Sequence, residues 1–320
     1  MPAWRPRRPR VRPAKRRNIQ SRKGGERMLT MKHPSVYEAT VPVGPARPVV
    51  ALHSSASTGG QWKSLTTALA GREVLAPDLP GYGRASFRNS TRDDAASLAG
   101  DAAAVLRTLG DRARAFHLVG HSYGGAVALK IALSHPQRVL SLTLIEPVLF
   151  HLLPLAGGDE DMRLYRGILG IRDRLRGAVA AGWPAHGMAA FVDFWNGEGA
   201  WDKADAEQRQ RLAAQARAVL RNFTACFGES WPAEEVAGLT LPLLTISGEA
   251  SPAVARRLTD KLVDAARDVT VARLFDAGHM SPLTHPAAVN ALIMRHVRLT
   301  EEETSSVPQG APFRRSSVAA

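Results

Sequence analysis

Residues 116–125 read Phe116-His117-Leu118-Val119-Gly120-His121-Ser122-Tyr123-Gly124-Gly125, an apolar strand that passes through Gly-x-Ser-x-Gly into an apolar helix from Ala126. A serine on a sharp strand-to-helix turn sits at strained backbone angles, and side chains at 120 and 124 would strike the neighbouring strand and helix, so glycine is needed at both positions. The spacing predicts Ser122 as a nucleophile. It also turns the Tyr123 N–H and the helix N-terminus toward the oxygen that becomes negative in acyl transfer. The pentapeptide alone recurs in ordinary Gly/Ser loops, and the strand before it and the helix after it carry the reading.

Three further stretches fall at matching distances. Pro48-Val49-Val50-Ala51-Leu52-His53 reads as a buried strand ending in a histidine, with Trp62 nine residues on. Leu75-Ala76-Pro77-Asp78-Leu79-Pro80-Gly81-Tyr82-Gly83 reads as a strand and its Asp-x-Pro-Gly-x-Gly turn. Leu274-Phe275-Asp276-Ala277-Gly278-His279-Met280 follows a Val269-to-Phe275 strand and carries a histidine on a loop. With these motifs, residues 47–298 resemble the α/β-hydrolase superfamily. The resemblance implies an α/β fold, a doubly wound, mostly parallel sheet with an inserted helical cap, and a chain order of Ser, acid, His. It implies His279 as the base that activates Ser122, and the N–H groups of Ser55 and Tyr123 as the oxyanion donors. One departure stands out: Ser54 occupies the position of the family's glycine in its His-Gly loop signature.

The acid departs from the commonest family pattern. Many relatives carry an aspartate after the strand that here reads Leu241 to Gly248, in a Gly-x-x-Asp turn, but this chain has Gly248-Glu249-Ala250-Ser251. Ser251 cannot hold an imidazolium by charge. Glu146, at the end of the Val139-to-Ile145 strand, matches the place where some capped relatives carry the acid, and geometry ranks it ahead of Glu249. Glu146 as a capping or ion-paired carboxylate remains the other reading. Asp78 and Asp276 read as turn residues bonded to nearby backbone. His121 is expected to pack beside the sheet, and His53 to bond backbone as a loop scaffold.

With 320 residues, 45% of them hydrophobic, the chain is long enough for one large core. No run approaches a membrane span and no signal-peptide apolar region follows the N-terminal charges, so a cytoplasmic location is expected. The single cysteine, Cys226, cannot form an internal disulfide and is read as packing. Neither a zinc-spaced cluster nor a phosphate-binding Gly-rich loop is visible, so no cofactor and no metal is expected.

Residues 1–27 hold nine arginines and two lysines against Glu26, a net +10 of the chain's +13. Residues 1–30 are therefore expected to form a disordered basic tail, open to nucleic-acid or anionic-surface contact; a start at Met28 or Met31 would remove it. Residues 300–320 are expected to form a flexible C-terminal tail. The core is placed at 47–148 and 236–298, and the cap at 149–235, where Leu212, Ala216, Val219, Leu220 and Phe223 share a helical face. Eight Trp and Phe residues lie between Trp183 and Trp231, some of which would wall a cleft for a small-molecule substrate with a hydrophobic acyl or aromatic part.

The function expected is that of a serine hydrolase, carboxylesterase-like, acting through an acyl-enzyme on an ester-like or other carbonyl substrate. A carbon–carbon bond hydrolase, or a non-catalytic ligand receptor on the same fold, stands as the alternative.

Overall fold

The structure, a computed structural model, describes residues 27–31, 46–85, 96–155 and 157–306. Among the described residues, seven strands form one sheet: β1 (Arg27–Met31), β2 (Val49–Leu52), β3 (Val74–Leu75), β4 (Phe116–His121), β5 (Val139–Ile145), β6 (Leu243–Gly248) and β7 (Thr270–Leu274). Their order is β1-β7-β6-β5-β4-β2-β3, and every pairing is parallel.

Parallel strands need helical crossovers, which bury both faces of the sheet. Alternation along β2 shows the consequence. Val50 and Leu52 join one core with α2 (Leu98–Leu109), α3 (Tyr123–Ser134) and α10 (Ala253–Ala265). Val49 and Ala51 face the other, with α1 (Lys63–Ala68) and α12 (Pro286–Ser306). β2 is followed by β3 on its outer side, and the chain then returns to place β4 on its inner side, so the ends of β2 and β4 flank the crevice where the sheet order reverses. The Ser54–Ser55 loop follows β2 and Ser122 follows β4.

Between β5 and β6 the chain forms a helical insertion: α4 (Leu152–Leu155), α5 (Asp159–Ala180), α6 (Pro184–Asn196), α7 (Ala200–Lys203), α8 (Ala206–Ala214) and α9 (Ala216–Phe227). Gln215 interrupts the helical face read from the sequence, and of its members Ala216, Val219 and Phe223 are buried. The remaining helix, α11 (Ser281–Thr284), follows the His279 loop.

Two boundaries differ from expectation. The basic tail was expected through residue 30, but Arg27–Met31 pair in parallel with Thr270–Leu274, because the open edge of β7 offers main-chain partners to any short extended segment. Residues 1–26 lie outside those described. The C-terminal tail was expected from residue 300, but α12 continues to Ser306. Arg72 grips Glu301 at both carboxylate oxygens, at 2.8 and 2.7 Å, and His117 Nε2 lies 3.4 Å away. Burial works against the Glu301 charge, but these partners hold its carboxyl down at about 2, fixing the last turns of the helix.

Candidate active site

Ser122 sits between β4 and α3 with φ 56° and ψ −116°, the strained turn expected of it. The glycines around it are sterically required. A Cβ at Gly120 would lie 2.4 Å from the Gly124 carbonyl oxygen, and one at Gly124 would lie 2.4 Å from the Leu52 carbonyl oxygen.

His279 Nε2 lies 3.0 Å from Ser122 Oγ, and His279 Nδ1 lies 2.7 Å from Glu146 Oε2. A carboxylate only accepts, so Nδ1 carries the proton and Nε2 is free to accept from the serine hydroxyl. Glu146 is fully buried. Its other oxygen accepts from the Gly248 N–H at 2.7 Å and from Ser251 Oγ at 2.5 Å. Burial alone would raise the Glu146 pKa, but the hydrogen bonds from His279, Ser251 and Gly248 outweigh it and hold the carboxyl below its ordinary range. The structure therefore brings Ser122, His279 and Glu146 together, and leaves Glu249 exposed on the turn after β6.

The β2 loop is fastened to this group by a chain of directed bonds. Ser54 donates to Gln61 Oε1 from its N–H at 3.2 Å and its hydroxyl at 3.0 Å. Gln61 Nε2 donates to His121 Nδ1 at 3.1 Å, and His121 Nε2 donates to the His279 carbonyl oxygen at 2.8 Å. Ser54, the departure from the family's glycine, is thus the first link in a connection that ends on the His279 loop. His121 is a link in it as well, where the sequence pointed only to packing; burial keeps its pKa well below the ordinary value, so it stays neutral. His53 donates from Nδ1 to the Ser54 carbonyl and accepts the Leu79 N–H at Nε2, the scaffold role expected. Asp78 accepts the N–H groups of Gly59 and Arg84.

Ser55 and Tyr123 both line a small pocket, of about 20 Å³, that opens on Ser122. Tyr123 begins α3, so its N–H is among those with no acceptor inside the helix. Its side chain turns away and donates to Asp101 Oδ2 at 2.7 Å, where Arg221 of α9 also binds in a buried ion pair. The insertion supplies most of the apolar wall through Phe191, Trp195, Val219, Phe223 and Cys226. Trp195 stacks on the His279 ring at 4.3 Å. Burial raises the Cys226 thiol pKa well above its ordinary value, consistent with packing. Trp183, by contrast, is 70% exposed and does not line this pocket.

The sequence reading missed Asn222. It is 2% exposed, lines the pocket, and accepts at Oδ1 from Ser55 Oγ at 2.8 Å and from the Tyr82 hydroxyl. The signal available was an uncharged polar residue, Asn222, beside the apolar position 223 of the helix.

The sequence pattern of the alpha/beta hydrolase family matches residues 49–292. The chain belongs to the alpha/beta hydrolase family. Among relatives of this family, lipase LipV of Mycobacterium tuberculosis is 31% identical over 268 residues, spanning 79% of this chain and 93% of that protein. The dihydrolipoyllysine-residue acetyltransferase component of the acetoin cleaving system of Cupriavidus necator is 28% identical over 238 residues; the match spans 70% of this chain but 56% of that protein. The crystal structure of a hydrolase from Pseudomonas aeruginosa superimposes with a TM-score of 0.60 at 22% identity, over 78% of this chain and 90% of that one. The alpha/beta hydrolase fold is thus shared by sequence and by shape, and the chain is an enzyme of that family. Among the described residues no helix is long and apolar enough to cross a membrane.

Proposed function

We propose that the protein is a serine hydrolase that cleaves esters through an acyl-enzyme, with a small-molecule substrate whose acyl part is hydrophobic. The observation that carries this reading is the relay in which Glu146 holds the Nδ1 side of His279 while Nε2 meets Ser122 Oγ at 3.0 Å.

In the first half-reaction Ser122 Oγ attacks the ester carbonyl as His279 Nε2 takes its proton. The carbonyl oxygen becomes an alkoxide, received by the N–H groups of Tyr123 and Ser55. The tetrahedral adduct collapses with cleavage of the bond to the leaving oxygen, which takes the proton back from Nε2. Water then repeats the sequence on the acyl-enzyme, with His279 again as base, and releases the acid. Glu146 keeps the imidazole in the reactive tautomer and stabilises the transient imidazolium by charge. The face of Trp195 against the ring adds cation–π attraction to the same state. Kinship with a protein named as a lipase agrees with ester cleavage.

The test is covalent labelling. A fluorophosphonate should label the wild-type protein, and Ser122→Ala should abolish labelling and lower ester turnover by roughly 10⁴- to 10⁶-fold with the fold intact by circular dichroism. Labelling that persists in Ser122→Ala places the nucleophile elsewhere.

A further inference from the structure

The pocket beside Ser122 is apolar except for a few groups, and one of these is unspent. The side-chain oxygen of Asn222 accepts two hydrogen bonds, from Ser55 Oγ and from the Tyr82 hydroxyl, which uses both of its lone pairs. The Nδ2 amide on the same side chain is buried and has no hydrogen-bond partner among the described residues. An amide nitrogen can only donate, and a buried donor left unpaired is costly enough that buried polar atoms nearly always find a partner. Asn222 is at the same time one of the residues that line the pocket.

The position of that donor says which part of a substrate it meets. Ser55 and Tyr123, on the oxyanion side, line the pocket together with Asn222, whereas His279, which must return its proton to the leaving oxygen, does not line it. The group that enters the pocket is therefore the acyl part. The free space within it is small, about 20 Å³, which limits the acyl part to a short chain.

We propose that Asn222 is a substrate-binding residue whose Nδ2 donates a hydrogen bond to an oxygen carried on the acyl group, so that the preferred substrates are esters of short, largely apolar acids bearing one keto, hydroxyl or ether oxygen near the carbonyl. This rests on the serine hydrolase reading above. The anchoring of Oδ1 makes the donor rigid, and a rigid donor in an apolar pocket discriminates against a ligand that leaves it unpaired.

Isosteric ester pairs test the proposal: p-nitrophenyl methoxyacetate against butanoate, and 3-methoxypropanoate against pentanoate. Dividing each ratio of kcat/KM by the ratio for hydroxide hydrolysis removes intrinsic reactivity. The wild type should favour at least one ether ester by about 10- to 100-fold after this correction, the size expected of one neutral hydrogen bond in a dry pocket. Asn222→Leu should abolish the preference. Asn222→Asp, assayed at a pH where the new carboxyl is ionised, should abolish it too, since it keeps an acceptor for Ser55 and Tyr82 but offers the pocket no donor. A wild-type enzyme that is labelled by fluorophosphonate and hydrolyses both members of each pair at the hydroxide ratio overturns the role of Asn222 and leaves the hydrolase reading standing, whether or not the variants fold. A preference that survives in Asn222→Asp also overturns it. Absence of both labelling and ester turnover in the wild type overturns the hydrolase reading, and this inference with it.

Discussion

Ser251 donates its hydroxyl hydrogen to Glu146 Oε1 across 2.5 Å, so the residue standing where many relatives carry the acid instead supports a carboxylate on the neighbouring strand. The two strand ends are adjacent because β5 and β6 pair in register up to Ile145 and Ile246, which carries Glu146 and the Gly248–Ser251 turn to the same edge of the sheet. Three donors on its two oxygens offset the burial of the Glu146 charge, while its positive φ, 42°, adds backbone strain.

Glu146→Gln should therefore preserve the fold and lower kcat by about 10³- to 10⁴-fold, because an amide can hold the wrong imidazole tautomer and offers no charge to the imidazolium. Glu249→Gln, at an exposed position, should change kcat by less than about twofold. Adding Ser251→Asp to Glu146→Gln should restore part of the rate, since position 251 already reaches the carboxylate site. Steady-state kinetics on one ester series decides all three; near-normal kcat in Glu146→Gln would remove Glu146 from the mechanism.

Arg221 and Asp101 form a buried pair, with side chains 10% and 1% exposed, and Tyr123 shares the same carboxylate. Arg221→Met leaves Asp101 with an uncompensated buried charge. The expected loss is about 3–5 kcal/mol, or a fall in Tm on the order of 10 °C. The double variant Arg221→Met/Asp101→Asn should recover much of this, because the stranded charge is gone. Thermal melts of the two variants, with additivity as the criterion, check the assignment.

Acid should weaken the fold before it reaches the carboxylate range. Burial lowers the pKa values of His53, His151 and His296 from 6.5 to about 4. Between those values the unfolded chain takes up protons that the folded chain refuses, so their contribution is full above pH 6.5 and is lost as the pH falls toward 4. Tm should drop by more than about 5 °C across that window. His151→Phe, which keeps a ring against Trp231 at a site whose present ring centroids are 4.4 Å apart, should make the slope shallower. A flat Tm from pH 6.5 to 4 would contradict the burial of these rings.

The parts of the molecule legible in the sequence are those whose constraint is local. The strand, turn and helix around Ser122 follow from a contiguous pattern, and Gly120 is fixed by atoms the motif itself brings near, whereas Gly124 is fixed by the Leu52 and His53 carbonyls at the end of the neighbouring strand. Glu146 could be placed because a strand end is readable, and the alpha/beta hydrolase resemblance supplied the rest of the order. What escaped depends on partners far away in the chain. Asn222 takes its meaning from Ser55, 167 residues earlier, and Gln61 and His121 are joined across 60 residues. The end of α12 is set by Glu301 meeting Arg72, 229 residues away, and β1 exists only against the edge of β7. No periodicity within any of these segments announces such meetings.

Two helices of the insertion face the pocket, and they are fastened differently. In α9, consecutive residues Arg221 and Asn222 are bonded to Asp101, Ser55 and Tyr82 of the core, so lifting it would strand a buried charge and unpair an amide. α6 reaches the site with the rings of Phe191 and Trp195, and the chain enters and leaves it through Gly182, Gly197 and Gly199, all with positive φ. α6 is also packed closely on α5, where a Cβ at Gly187 would lie 2.8 Å from the Leu175 side chain, so the two helices are held by different partners: α9 by the core, α6 by the insertion. Because Trp195 stacks on His279, the helix that walls the pocket also covers one face of the imidazole, so any displacement of α6 would be felt at the base as well as at the pocket.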